Sequence, residues 1–461
     1  MSEAVFSESL AYGQMKRRSV SARSFRTKIA PSNGSLYGEN QTIQIDMPAN
    51  LAGQYYDFSS MYLKFKVTNT VAAYTLDRAG GLSFFKRLQI STAGAQICDI
   101  NNYNVLATAM IDTDASSEWK AGYGAILLGT HGDALSGSTQ AIGAGRTFCT
   151  PLVLNPLFNT TPHRLIPAFS LSAITLRLTL DATASCVQSA GAPVLAYSDV
   201  ELVCMMTELS PAAQAQVDSA TGGKYNILAN SFMNSQATLA ANNTQLTSSL
   251  GFSMSSMERV IATHRPTTSI NSQAAFSLGN RTTSGLVQYQ YLINAESYPA
   301  RPVIVDSAGA ESTAEFLIAD HALVDWNKGC GLSNGVVQMV PGAAASVMVG
   351  ALSGIAPQVT KSPCFMLKDG AGTVAGSSAG ATPDTANSNI GTFIISTDFE
   401  NGLSVGKSAT IYSGVSTIAS NVQWLGTYAD VHVAAQIDWF SEYSVLLSLD
   451  TRGSGVFSIS V

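Results

Sequence analysis

The sequence predicts an all-β protein built from two tandem domains, with short helices confined to the connections. Three observations carry this. Apolar and polar residues alternate with a period of two along many short runs, as in half-buried antiparallel strands. The chain has 461 residues, too many for one ordinary core. Charged residues are only 12% of it, about half the usual share, while Gly, Ser, Ala and Thr are plentiful.

Residues 1–34 read as a basic N-terminal arm. Lys16, Arg17, Arg18, Arg23, Arg26 and Lys28 follow one another with no acidic residue between them. Two readings stand side by side: an arm that contacts something anionic, and a solvated terminus. The stretch "MSEAVFSESLAYGQ" lacks the basic start and apolar centre of a secretory signal, so folding in a reducing compartment is expected.

Strands begin at residue 35. In "QTIQIDM", Ile43, Ile45 and Met47 oppose Thr42, Gln44 and Asp46. In "YLKFKV", Leu63, Phe65 and Val67 oppose Lys64 and Lys66. "LSFFKRLQISTAGAQICDINNYNVLATAMI" then runs as a strand, a Gly-containing turn, a returning strand and a helix. Tyr103, Leu106, Ala107, Met110 and Ile111 fall at i, i+3, i+4, i+7 and i+8, the pattern of a helix with one apolar face. Asp112 and Asp114 read as helix-end and turn residues. "AITLRLTL" and "DVELVCMMTEL" complete a first domain over 35–212.

A helical linker over 213–223 follows. In "SPAAQAQVDSATGG", Ser210 can cap, Pro211 suits the first helical position and Gly222-Gly223 ends the helix. The second domain spans 224–461 and resumes the strand pattern in "SMERVIATH", "LVQYQYLIN", "TFIIST", "ADVHVAAQIDWF", "YSVLLSLD" and "GVFSISV". "FFKRLQIST" and "SMERVIATH" echo each other weakly, which fits two copies of one β domain. Periodicity alone leaves a sandwich and a jelly roll both open.

Catalytic and metal sites find little support. "GLSVGKS" (Gly402–Ser408) is one residue too short between its glycines for a phosphate-binding loop. "GLSNG" and "GSSAG" lack the strand and helix that a nucleophile elbow needs, and in a chain with 38 glycines such strings arise by chance. The five histidines and six cysteines show no ligand spacing; the cysteines read as small reduced core residues. Val336–Pro357, the single candidate membrane run, is interrupted by Gln338, Pro341 and Gly342 and reads as a loop or a covered strand pair. A net charge of −6 argues against a chain that coats nucleic acid. No catalytic, cofactor-binding or metal residue is therefore assigned.

The choice between sandwich and roll comes from resemblance. "FFKRLQISTAGAQICDINNYNVLATAMIDTDAS", "LIPAFSLSAITLRLTL", "VELVCMMTELSP", "YQYLINAESYPARPV" and "DFENGLSVGKSATIYSGVSTIASNVQWLG" follow one another as similar segments do in double jelly-roll major capsid proteins. The resemblance runs from about residue 35 to the end. It implies two tandem eight-stranded jelly rolls, and a chain that forms homotrimeric, pseudo-hexameric capsomers tiling an icosahedral shell. It further implies a virion location, with penton and minor capsid proteins as partners. The basic arm would then meet an internal membrane, a minor capsid protein or the genome at the inner face. The helix after Cys98 would pack Tyr103, Leu106 and Met110 against the roll or a neighbour. "GTHGDALSGSTQAIGAGR" and "DGAGTVAGSSAGATPDTANSN" would be outer loops. A low-charge surface suits wide contacts between copies, since little charge is desolvated. The rival reading is a carbohydrate-binding or adhesive β-sandwich protein, which should carry a secretion signal and exposed aromatic clusters.

Overall fold

A computed structural model describes residues 22–49, 51, 53–92, 95–115, 119–120, 122–130, 139–158, 165–170, 174–273, 276–305, 310–321, 337–341, 355–359, 393–400, 414–450 and 457–460. Two units of eight principal strands follow one another. The first comprises β1 (Ala22–Ile29), β2 (Thr42–Met47), β3 (Gln54–Thr70), β4 (Phe85–Ser91), β5 (Gln96–Asn101), β6 (Gly145–Pro151), β7 (Ile174–Leu180) and β8 (Val194–Leu209). The second comprises β9 (Lys224–Leu239), β10 (Gln245–Ser249), β11 (Met257–Pro266), β12 (Leu286–Ile293), β13 (Glu296–Ile304), β14 (Ile395–Asp398), β15 (Val422–Tyr428) and β16 (Ala435–Asp450).

Each unit is two packed antiparallel sheets. The first has the orders β1-β8-β3-β6 and β2-β7-β4-β5; the second has β9-β16-β11-β14 and β10-β15-β12-β13. The second set of orders is the first with eight added to every number, so the two units share one topology. Short strands extend this frame: Leu36–Tyr37 pairs with β8, Ile166–Pro167 with β3, and Phe457–Ser460 with β16.

The alternation in the sequence becomes burial. Ile43, Ile45 and Met47 of β2 are buried, as are Leu63, Phe65 and Val67 of β3 and Ile174, Leu176, Leu178 and Leu180 of β7. Phe65 centres the first core, with the rings of Phe148 and Phe85 at 5.3 and 5.4 Å. Trp424 centres the second, stacked on Tyr289 at 5.2 Å and beside Trp439 at 5.7 Å. Cys98, Cys186 and Cys204 are buried free thiols and Cys149 is half-buried; burial pushes Cys204 up to about 11. Cys330 and Cys364 lie outside the described residues.

His264 belongs to the second core. Its ring is fully buried beside Phe393, Trp424 and Tyr428, with Nε2 3.2 Å from the Tyr428 hydroxyl. Burial pushes its pKa down to about 3. Below the unfolded value of about 6.5, the unfolded chain takes up a proton that the folded chain refuses. Stability from this group is complete above that value and falls as the pH drops toward 3. Between pH 7 and pH 5, His264→Phe should gain about 2 kcal/mol relative to the unsubstituted chain. Urea unfolding at the two pH values checks this, and parallel profiles would refute it.

The helices fall in the connections. α1 (Tyr103–Asp114) follows β5, α2 (Pro211–Thr221) joins the units, and α3 (Ala310–Ala319) follows β13. α2 begins at Pro211, two residues before the expected linker. The Ser210 hydroxyl accepts from the Ala213 amide at 3.4 Å, and Gly222 closes the helix at φ 64°.

Four expectations need correction. The first unit does not start at residue 35: β1 pairs along β8 from Ala22↔Leu209 to Ile29↔Leu202, so the second half of the supposed arm is a sheet strand. α1 is not one-faced: every residue from Tyr103 to Thr113 is buried, because first-unit connections enclose its N-terminal half, where Tyr103 donates to Val153 and Asn104 to Ser83 and Asp181, and Arg281 of the second unit meets its C-terminal turn. "ADVHVAAQIDWF" and "YSVLLSLD" are not two strands but meet in the 16-residue β16. The echo pairs strands that are not counterparts: "FFKRLQIST" holds β4, whose counterpart is β12, while "SMERVIATH" holds β11, the counterpart of β3.

Within Val336–Pro357, Val337–Pro341 is a strand pairing antiparallel with Ile355–Val359. No helix of the described residues is long and apolar enough to cross a membrane. "GLSVGKS", "GLSNG", "GSSAG" and the 369–389 loop lie outside the described residues, as does 131–138 of the other loop.

Candidate assembly surface and the junction between the units

Of the six basic residues singled out, Lys16, Arg17 and Arg18 lie outside the described residues. Arg23, Arg26 and Lys28 stand exposed on β1. Arg23 lies 3.9 Å from Glu208, its guanidinium over the Phe25 ring at 5.2 Å. Lys28 and Lys64 each reach Glu201 at 3.2 Å. Hydrogen bonds from these two lysines hold the Glu201 carboxyl below its ordinary value. Such exposed pairs contribute little stability. Arg26 and Lys66 have no ion pair among the described residues. The three described residues thus join Lys64 and Lys66 of β3 at one sheet of the first unit, a grouping that the linear run did not indicate.

The second feature was not anticipated. The connection between β11 and β12 reaches into the first unit and is tied there by buried charges. The carboxylate of Asp77 accepts from the amides of Leu278 (2.9 Å), Gly279 (3.1 Å) and Arg78 (2.7 Å). Arg78 donates to the Gly279 carbonyl. Arg281 Nη2 and Arg78 Nη1 converge on Asp112 Oδ2 of α1, at 2.5 and 3.2 Å. Gly279 suits this approach, since a Cβ there would stand 2.5 Å from Asp77 Oδ1 and 2.8 Å from Arg78 Nε. Alongside, the Ser189 amide donates to the Gln273 carbonyl at 2.8 Å, and the Ser185 hydroxyl bonds Asn271.

These groups are almost wholly removed from water, so they titrate unusually. Burial raises Asp112, but Arg78, Arg281 and Lys120 outweigh it and hold the carboxyl below its ordinary value. At Asp77 burial wins, and its value is raised despite Arg78 and the three amides. Low-dielectric surroundings strengthen each pairing and also make an unpaired charge costly. The sequence carried one faint signal: Asp112 directly follows the apolar pair Met110 and Ile111 within the helix. In so charge-poor a chain, such a carboxylate calls for a partner.

The junction continues onto the outward face of the second unit's sheet. Trp439 points into the core with Trp424, so Asp438 and Phe440 point out. Both are nevertheless fully buried. Asn102, directly after β5, donates to Asp438 Oδ1 at 2.7 Å, while Arg265 holds Asp438 Oδ2 at 2.9 Å. β5 itself lies against β9. The junction is therefore head to tail: the β5 side of one unit meets the β9–β16 side of the next.

Among the described residues, no group of three or more His, Cys, Asp or Glu side chains is arranged to hold a metal ion. No protein-family description matches the sequence, and no curated protein does. Solved structures do resemble the chain. The Faustovirus major capsid protein superposes with a TM-score of 0.58 at 9% identity, over 94% of this chain and 92% of that one. The Sputnik virophage structure gives 0.57 at 10% identity, over 100% and 94%. The PBCV-1 virus capsid gives 0.56 at 11% identity, over 98% and 99%.

The chain has the double jelly-roll fold. The repeated strand order is thereby explained, each unit being one roll, and the expected fold class of two tandem rolls with helices in the connections holds. The likeness lies in backbone path and not in residues, which is why sequence comparison finds no relative. Within this double jelly roll, the β5–β9 junction is the contact between roll one and roll two.

Proposed function

We propose that this chain is the major capsid protein of an icosahedral DNA virus, located in the virion shell. Three copies form a pseudo-hexameric capsomer, and capsomers tile the shell beside penton and minor capsid proteins. The observation that carries this is the coincidence of the double jelly roll with three capsid structures over more than nine-tenths of every chain. The head-to-tail junction supports the same reading. A contact that joins unlike surfaces leaves one of each kind open at the two ends of the chain, and repetition of such contacts closes a ring when the rotation between neighbours closes.

The N-terminal run of Lys16, Arg17 and Arg18 is turned in this reading toward the shell interior, where it meets an internal membrane, a minor capsid protein or the genome. Removal of residues 1–20 leaves β1 in the chain, and loss of assembly with trimers retained is the expected result.

Light scattering after chromatography, with negative-stain imaging, tests the capsomer. A trimer of hexagonal outline is expected. A monodisperse monomer across a range of salt concentrations would overturn the reading.

A further inference from the structure

We propose that the β1 edge of the first roll docks on the β13 edge of the second roll of another copy, as β9 docks on β5 within one chain. This rests on the capsomer reading and names the surfaces that it joins.

The argument starts from counterparts. β9 and β1 hold the same edge position in their sheets, as do β13 and β5. Inside the chain, β5 and β9 cover one another: Ile97, Cys98 and Ile100 of β5 are buried, and so are Ser231 and Phe232 of β9. The counterparts are bare. On β1, Ser24, Arg26 and Lys28 are exposed; on β13, Glu296, Ser297, Ala300, Arg301, Pro302 and Ile304 are exposed. Two open sheet edges are a hazard that folded chains either blunt or cover. Here one edge is blunted by cations and the other by Pro299 and Pro302, so neither is built for a backbone ladder. The β5–β9 contact likewise lacks one, since neither strand pairs with the other.

Charge favours a second copy as the occupant. The β1 side offers Arg26 and Lys66, which have no carboxylate partner among the described residues, together with Lys28 and Lys64 sharing Glu201. The β13 side offers Glu296 and, from α3, the exposed Glu311, whose carboxylate accepts from the Ile304 amide at 3.3 Å. Arg301 is the one cation on β13. Ile304, beside Glu311 at the end of β13, and Ile318 of α3 are also exposed, so the β13 side carries apolar as well as charged surface. Opposite signs on the two faces also disfavour like-with-like pairing of either edge.

The experiment places cysteines at Ser24, Arg26 or Lys28 on β1, each combined with Ser297→Cys, Ala300→Cys or Pro302→Cys on β13. Mild oxidation and non-reducing electrophoresis follow, with each single substitution as a control for the native thiols. At least one combination should give dimers and covalent trimers that its two single controls do not. A second arm uses Lys28→Glu with Lys64→Glu, which should shift the trimer toward monomer by tenfold or more in concentration. A native trimer that neither cross-links in any combination nor responds to charge reversal would overturn the inference and leave the capsomer reading standing. An unsubstituted chain that is monomeric would overturn both.

Discussion

Arg281→Ala should destabilise the folded chain by about 3–5 kcal/mol, the cost of removing one partner from a buried ion pair. Arg281 is fully buried and its guanidinium lies 2.5 Å from Asp112. Without it, Asp112 keeps only Arg78 and Lys120 nearby, inside a junction that water does not reach. The loss also cuts a tie between rolls, since Arg281 precedes β12 of the second roll while Asp112 sits on α1 of the first. Arg281→Met separates charge from volume: equal losses in both variants assign the cost to the unpaired carboxylate and not to a cavity. The pH dependence gives a further check. Asp112 is held below its ordinary value, so its contribution is present above the unfolded value of about 3.9 and is lost as the pH falls through the folded one. The gap between the variant and the unsubstituted chain should therefore narrow below about pH 4. Urea midpoints at pH 7 and pH 3.5 measure it. A loss under about 1 kcal/mol that does not change with pH would refute the account.

The contrast between Ile45 and Asp112 shows what the sequence could convey. Ile45 lies in a strict alternation, and alternation has one physical meaning: a sheet with a wet face and a dry face. The strands, the capping of α2 by Ser210 and the existence of two similar domains were legible for that reason. α1 was legible as a helix but not as one buried on all sides, because periodicity reports the face turned to its own sheet and says nothing of distant connections such as Val153 and Asp181, or of Arg281 from the second roll, closing over the rest. The basic run was legible as charge but misread as a detached arm. Arg23, Arg26 and Lys28 carry weak strand alternation, and what makes β1 a strand is β8, almost two hundred residues away. Arg78, Asp112 and Arg281 are separated by up to about two hundred positions and share no motif. Their meeting depends on how the β11–β12 connection enters the first roll, which no local pattern encodes. A jelly-roll sheet order could be expected only through resemblance; the strand pairing of this chain supplies it, and the superpositions match it by backbone path where sequence comparison finds nothing.

The same junction makes a residue on the outside of a sheet behave as core. Phe440 and Leu446 lie on one face of β16, the face that points away from the second roll's own interior. Phe440 is fully buried, whereas Leu446 is 39% exposed. The difference is position along the strand: Phe440 stands two residues from Asp438, where Asn102 of the first roll docks, and Leu446 lies beyond that contact. Phe440→Ala should therefore cost about 3–5 kcal/mol, as truncation of a buried aromatic does. Leu446→Ala should cost about 0.5 kcal/mol, as at an ordinary surface site. Urea midpoints at one fixed protein concentration compare the two, since association would itself add apparent stability. A single isolated roll would give small losses at both positions, because this face would then be wet along its whole length. Similar losses at the two sites would thus refute the covering of this face by the first roll, and with it the head-to-tail contact on which the proposed ring rests.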